Sequence, residues 1–428
     1  MNIVMLTNTY TPHVGGVAQS VAGFTAEYRR RGHKVLVVAP EFDNQPQDEA
    51  GVMRIPAIQN FNGSDFSVVL PVSGLLTKAL EGFQPDIVHA HHPYLLGMTA
   101  LRIARYRKLP LVFTHHTMYE QYTHYVPADS AALRRFVIEL ATHYANLSDQ
   151  VFAPSESIAL LLGERGVQVP IAVVPTGVNV ERFAQGDGLR FRTAMGIPAD
   201  AFVVGHVGRL APEKNLAFLA EAVAGFLNTD SRAHFLTAGK GPSETQLRKI
   251  FSRRGLAARL HVAGNLPQKE LAACYHAMNV FVFASKSETQ GMVLTEAMAA
   301  GVPVVALDAP GARETVEDRR NGRLLHEENA ESFVAALNWM AGLPPAEIQE
   351  FKQRARQTAE KFSMPVAATK ALSRYEALRG QALVARPEAD EQLTRIMRLV
   401  EAEWNILQGV LRAAGAAFRA TQPQDGAC

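Results

Sequence analysis

Residues 280–307 read VFVFASKSETQGMVLTEAMAAGVPVVAL. A run of β-branched and aromatic residues gives way to a polar, Gly-containing turn, then to an apolar helical stretch, a Gly-Val-Pro break and a second β-branched run. This predicts a strand at 280–284, a helix, and a strand at 302–307. Short strands that are apolar at every position belong to a sheet covered on both faces, as parallel sheets are. The rhythm extends upstream to strands at 202–207, 234–238 and 260–263. It also fills the first half of the chain, with strands at 3–6, 35–39, 87–89, 111–114, 150–153 and 171–174 and a helix at 17–31. The expected fold class is α/β, with two doubly wound domains at 1–180 and 190–365, a polar linker near 175–190, a helix at 366–385 and a helical tail at 387–428. In such sheets ligands lie beyond the carboxyl ends of the strands, so a cleft between the domains is the expected site.

With 428 residues the chain has material for two or three domains. Lys plus Arg number 43 against 41 for Asp plus Glu, a net charge of +2 that gives no global reason to expect nucleic acid. Apolar residues at 47% and charged residues at 20% exclude extensive disorder. Two cysteines, Cys274 and Cys428, make neither a disulfide framework nor a metal-site spacing, which favours a reduced, cytoplasmic setting. The N-terminal residues lack the basic and apolar regions of a signal peptide, and the apolar stretch at 297–307 is too short to span a bilayer. If a membrane matters, the protein is expected to lie on it.

The chemistry concentrates at predicted strand ends. Backbone N–H groups at 291–294 open a helix and are expected to point outward unpaired, which suits a phosphate. Glu288 precedes that helix and Glu296 lies a turn inside it. Carboxylates repel phosphate but accept hydrogen bonds from sugar hydroxyls, although an acidic residue here also serves simply to complement the helix dipole. Residues 207–215 (VGRLAPEKN) place Arg209 and Lys214 five residues apart across a turn, an Arg fork and a Lys point charge suited to a diphosphate. Gly15 and Gly16, after the first strand, allow close backbone approach or form a plain tight turn. His89, His91 and His92 crowd one strand end, which raises zinc as a reading, but no His-Glu-x-x-His follows. No Asp-x-Asp pair occurs in the chain, so the charge of a leaving diphosphate would fall to Arg209, Lys214 and helix N-termini, with no metal.

Together these motifs resemble the retaining glycosyltransferases of family 4, whose fold has two Rossmann-like domains and is called GT-B. Glu288 and Glu296 match the family's Glu-x7-Glu signature, Gly208, Arg209 and Lys214 its Gly-Arg-x4-Lys segment, and Gly15 and Gly16 its Gly-Gly loop. Residues 238–242 (AGKGP), 174–178 (VPTGV) and Gly264 add to the match, which spans roughly residues 1 to 380. The resemblance implies an acceptor-binding first domain, a second domain for the nucleotide sugar, and a helix at 366–385 crossing back to the first. It implies that Arg209 and Lys214 hold the donor diphosphate, Glu296 the ribose and Glu288 the transferred sugar. Thr289, Gln290, Gly291, Met292, Val293 and Leu294 would contact sugar and phosphates through their backbone, and Gly264 would lie near the base. His91 matches the family histidine beside the transferred sugar and acceptor.

A narrower likeness joins residues 114–125 (THHTMYEQYTHY) and 287–291 (SETQG) to the bacterial diacylglycerol glycosyltransferases. It implies a UDP-sugar donor, UDP-glucose or UDP-galactose, as co-substrate with no cofactor, a diacylglycerol-type lipid acceptor near His91, His116, Tyr119 and Tyr122, and a peripheral place on the inner face of the cell membrane. Arg102, Arg105, Arg107, Lys108, Arg134 and Arg135 lie beside Tyr119, Tyr122, Tyr125 and Phe136 in sequence and fit either an anionic lipid surface or a solvated helix face. Leu393, Met397, Val400, Trp404, Leu407 and Leu411 form one apolar seam, open to packing on the protein itself, to a homodimer or to a membrane. A soluble or polysaccharide acceptor, a same-fold sugar-nucleotide epimerase and a noncatalytic binding protein remain as alternatives.

Overall fold

A computed structural model of the chain describes residues 1–13, 15–47, 49–58, 68–69, 73–123, 130–384, 401 and 405–414. The chain forms two compact units, Met1–Thr176 with Ala367–Cys428, and Gly177–Val366.

Unit 1 is built on β1 (Asn2–Leu6), β2 (Lys34–Pro40), β3 (Val52–Ile55), β6 (Ile87–Ala90), β7 (Leu111–Thr114), β8 (Gln150–Ala153) and β9 (Ile171–Val173), with β4 (Ala57–Ile58) and β5 (Val68–Val69) as a separate antiparallel pair. The large sheet is parallel throughout, in the order β3-β2-β1-β6-β7-β8-β9. Ile3, Val4, Met5 and Leu6 are all fully buried, so both faces of β1 are covered. Val4, Val88, Phe113 and Val151 pack with Leu101 and Leu162 from the helices Leu96–Arg107 and Glu156–Glu164. The helix Gly16–Arg30 buries Val21, Phe24 and Tyr28.

Unit 2 repeats the scheme with β10 (Phe202–Val207), β11 (Ala233–Ala238), β12 (Leu260–Val262), β13 (Val280–Phe283), β14 (Val304–Leu307) and β15 (Gly322–Leu325), parallel in the order β12-β11-β10-β13-β14-β15. One face packs under the helices Leu216–Thr229 and Ala330–Ala341. The other meets Met292–Ala299, with Ala355 and Ala359 of Pro345–Lys361 joining its core. The α/β class and the two parallel sheets are as the sequence predicts. The edge strands β3 and β15 are additions, because Val-Met-Arg-Ile and Gly-Arg-Leu-Leu carry a charge and lack the continuous apolar run of a central strand.

The chain passes from unit 1 to unit 2 between Thr176 and Gly177 and returns between Val366 and Ala367, within the helix Met364–Val384. The polar stretch expected as a linker is mostly packed structure. The helices Val180–Phe183 and Gly188–Ala194 belong to unit 2, and a Cβ on Gly188 would lie 2.2 Å from the His276 carbonyl oxygen.

In the tail, Leu393, Met397, Val400, Trp404 and Cys428 lie outside the described residues. Leu407 and Leu411, of the apolar seam open to self-packing, a homodimer or a membrane, are 48% and 60% exposed. The buried side of this helical segment consists instead of Ile406, Gly409 and Ala413. His143 fixes that choice: its Nε2 bonds the Asn405 carbonyl at 2.8 Å, and its ring lies 2.4 Å from where a Cβ on Gly409 would be. Among the described residues no helix is long and apolar enough to cross a membrane.

Val178 pairs with the 362–364 segment through two backbone hydrogen bonds near where unit 2 begins and ends: Val178 N–H donates to the Phe362 carbonyl at 2.8 Å and Met364 N–H to the Val178 carbonyl at 2.9 Å. A Cβ on Gly177 would sit 2.2 Å from Met364 Cα. Gly177→Ala is therefore expected to destabilise the fold by about 1–3 kcal/mol, read as a lower urea midpoint; an unchanged midpoint would show that this contact yields without strain.

Candidate functional site

The strand order of unit 2 reverses between the neighbours β10 and β13, and the loops leaving their carboxyl ends meet. Lys214 Nζ donates to Glu288 Oε1 at 2.5 Å, with the two side chains 14% and 20% exposed. Ser285 and Ser287 donate to the Glu213 carbonyl at 3.3 and 3.1 Å, fastening the second loop to the first. Arg209 donates to Glu213 Oε1 at 2.6 Å and is about half exposed. The structure thus sets Lys214 on Glu288 and Arg209 on Glu213, where the sequence placed both cations on one site without showing their partners.

Glycines allow the neighbouring loops to close. Gly208 donates to Ala238 and Leu210 to Lys240, both at 3.0 Å, so the chain leaving β10 stays paired with the AGKGP segment. A Cβ on Gly239, at φ 131°, would fall 1.9 Å from the Gly208 oxygen. Gly239 N–H in turn donates to the Gly264 carbonyl at 2.7 Å, which brings Gly264 to this edge.

Gly291, at φ 70°, starts the helix Met292–Ala299, which has no side-chain cap and no acidic residue in its first turn. Its N-terminal partial charge is therefore uncompensated from within the turn. Met292 and Val293 are partly exposed, and Thr289 and Gln290 lie in the turn just before. Leu294 departs from expectation: its N–H donates to Gly291 O at 2.9 Å and its side chain is fully buried. Glu296 is buried, and its Oε2 accepts from Tyr275 OH at 2.8 Å. Burial pushes this carboxyl up to about 7, outweighing the lowering by Tyr275 and Arg182.

Sequence reasoning missed His206 on β10. Its Nδ1 bonds the Val282 carbonyl at 3.1 Å, and burial holds the ring down to about 4, with the nearby Lys214 adding to that and Glu288 opposing it. A lone histidine inside a strand gives no signal beyond that of a core residue.

In unit 1 the order reverses between β1 and β6. Asn8 ties these strand ends together: its N–H donates to His92 Nδ1 and its Nδ2 to the Tyr94 carbonyl, both at 3.1 Å, while its Oδ1 accepts from Leu96 N–H at 3.1 Å. Gly15 caps the helix Gly16–Arg30 in extended backbone, and a Cβ there would meet His13 Nε2 at 3.1 Å. His91 Nδ1 and His116 Nε2 are hydrogen-bonded at 2.9 Å, so these two sequence-predicted residues do meet. Burial, with the other imidazoles adding to it, holds both rings well below the usual histidine range and therefore neutral. His91 Nε2 is buried without a partner among the described residues. Tyr119 packs edge-on against Tyr94 and His115, and its buried hydroxyl has no partner among the described residues. Tyr122 follows on the same short turn, partly buried.

His89 and His92 are engaged elsewhere, His89 with Thr114 and Tyr375 and His92 with Asn8. Among the described residues no three His, Cys, Asp or Glu groups could hold a metal ion. Arg105 and Arg107 of the expected basic face donate to the carbonyls of Leu147 and Leu80 at 2.7 and 3.3 Å. His124 and Tyr125 lie outside the described residues.

Because the Glu296 carboxyl is raised from 4.5 to about 7 by folding, the folded state holds the proton more tightly than the unfolded one. Stability is therefore lost as pH climbs through that window. Glu296→Gln should consequently gain in melting temperature over wild type between about pH 5 and about pH 8; an unchanged difference would mean that the carboxyl titrates normally.

Residues 14–182 match the family model Glycosyltransferase Family 4, and residues 189–362 match Glycosyl transferases group 1. The chain is 29% identical over 335 residues to an alpha-monoglucosyldiacylglycerol synthase of Streptococcus pneumoniae, covering 77% of this chain and 76% of the relative. It is 30% identical over 398 residues to a GDP-mannose-dependent alpha-mannosyltransferase of Mycobacterium tuberculosis, covering 89% and 98%. The crystal structure of Anabaena HepE in complex with UDP and glucose superposes with a TM-score of 0.68 at 21% identity, over 88% of this chain and 99% of that one. With two parallel-sheet units, matched family models over both, and the helical segments that follow, the chain belongs to the family 4 glycosyltransferases of GT-B fold.

Proposed function

We propose that the protein transfers a hexose with retention from UDP-glucose or UDP-galactose to the hydroxyl of a diacylglycerol-type lipid, working at a membrane surface without a metal. The observation that carries the donor half is the Lys214–Glu288 pair beside the uncapped helix at Gly291. An arriving diphosphate competes with Glu288 for the Lys214 ammonium, with Arg209 and the helix N-terminus adding positive potential. Glu288, released, accepts from hydroxyls of the transferred sugar. Glu296 accepts from the ribose, Gly264 lies near the base, and the backbone of residues 289–293 contacts sugar and phosphates. The C1–O bond to the diphosphate breaks with its electron pair on the phosphate oxygen. The acceptor oxygen bonds to C1 on the same face, and its proton passes to that departing oxygen.

His91 and His116, with Tyr119 and Tyr122, form the acceptor side. The lipid assignment draws on the diacylglycerol synthase relative, and Arg102, Lys108, Arg134 and Arg135 supply charge for an anionic surface. The mannosyltransferase relative, which covers more of the chain, supports a second reading with a GDP-mannose donor.

Incubating the protein with UDP-glucose, UDP-galactose or GDP-mannose and diacylglycerol vesicles separates these readings. Retained α-glycolipid from a UDP-sugar, undiminished by EDTA, is the expected result. Product only from GDP-mannose favours the second reading, product only on soluble acceptors removes the lipid, and loss with EDTA removes the metal-free chemistry. Lys214→Ala should lower donor affinity or turnover by at least about tenfold, or about 1.4 kcal/mol; unchanged kinetics would take Lys214 out of the site.

A further inference from the structure

Behind His91 a hydrogen-bonded chain crosses the interior of unit 1. Tyr28 OH, on the helix Gly16–Arg30, donates to Tyr375 OH at 3.4 Å. Tyr375 OH is bonded to His89 Nδ1 at 2.6 Å, and His89 Nε2 to Thr114 Oγ1 at 2.7 Å. Tyr28 and Tyr375 are wholly buried, and His89 and Thr114 nearly so. With both ring nitrogens engaged, the His89 imidazole can neither flip nor turn without leaving a buried polar atom unsatisfied, whichever nitrogen carries the proton. Phe152 reinforces the arrangement, stacked on Tyr375 with ring centroids 5.8 Å apart and edge-on to His89 at 5.6 Å. Burial holds His89 down to about 3, so the ring stays neutral.

The fixed His89 ring then bears on His91. Their centroids are 4.1 Å apart, and His91 is held from its other side by the bond from Nδ1 to His116. Two constraints on one imidazole leave a single direction for its Nε2, the atom without a partner among the described residues. We propose that Tyr375 and His89 are positioning residues, which hold His91 so that Nε2 is presented to the sugar or to the acceptor hydroxyl. This rests on the placement of His91 in the proposed site. Tyr375 comes from the helix that returns to unit 1 after all of unit 2, so a residue far from the strand ends in sequence governs the geometry at one of them.

The test is a double-mutant cycle on the full chain, using diacylglycerol vesicles and whichever nucleotide sugar proves to be the donor. Tyr375→Phe removes one hydroxyl and keeps the packed ring; Thr114→Val frees the opposite side of His89. Each should lower kcat by roughly tenfold or more while donor KM stays within about twofold, since misplacement of a catalytic group by about 1 Å suffices for such a loss. In a His91→Gln background, Tyr375→Phe should cause no further loss, because the residue it positions is gone. A Tyr375→Phe loss that persists in full there, or that appears in donor KM alone, assigns the chain to general packing and overturns the proposal, as does unchanged kcat. Full activity of His91→Gln would overturn the placement of His91 itself, and this inference with it.

Discussion

Parallel pairing is the constraint on which both units depend. Every strand of the two large sheets runs in the direction of its neighbours, so each crossover helix brings the chain back to begin the next strand at the same edge. All loops that follow strands then share the opposite edge. Residues as distant in sequence as Lys214 and Glu288 become hydrogen-bonding neighbours because β10 and β13 are adjacent there, and Asn8 reaches His92 because β1 and β6 are. The reversal of strand order at these two pairs opens space between the flanking helices, and the groups with chemistry lie around it.

Electrostatics in unit 2 is arranged in neutral parts. Lys214 with Glu288 and Arg209 with Glu213 each cancel over a short distance, and Glu296 avoids a net buried charge through its raised pKa and its bond from Tyr275. The Met292–Ala299 helix has no acidic residue in its first turn to offset the partial positive charge at its start. An anion there would meet Lys214 and Arg209 only by drawing them from Glu288 and Glu213, so both cations exchange a carboxylate partner for the arriving anion rather than standing bare. Unit 1 follows the opposite scheme. Its strand edge is lined by imidazoles that burial keeps neutral, an environment suited to uncharged hydroxyls.

Much of this could be read from the sequence, for identifiable reasons. Central strands such as Val280–Phe283 are apolar at every position because helices cover both faces, and that pattern survives in a single sequence. The spacing of Glu288 and Glu296 is local, so it too was readable. What escaped depends on three-dimensional neighbours. The partners of Arg209 and Lys214 are set by loop packing, and the role of His206 by a carbonyl on another strand. The tail shows the same limit: the apolar seam at helical spacing left self-packing, a homodimer and a membrane open, and only the close approach of the His143 ring reveals that Gly409 and Ala413 face inward. The 175–190 region looked like a linker because its polar residues and glycines are also what close backbone packing requires.

Unit 1 is discontinuous in the chain, and this bears on biosynthesis. As the polypeptide leaves the ribosome, residues 1–176 emerge with a sheet whose helix face still lacks Tyr375, so Tyr28 and His89 await their common partner. Gly177–Val366 can complete its own core in that interval, because all of its strands and helices are already present. The unit translated first is thus the last to mature, and a ribosome that stalls or terminates shortly after residue 366 would release a chain with one finished half and one open half. Such a nascent product exposes apolar surface in unit 1 alone, which makes that half the natural target for chaperones and for quality-control proteases.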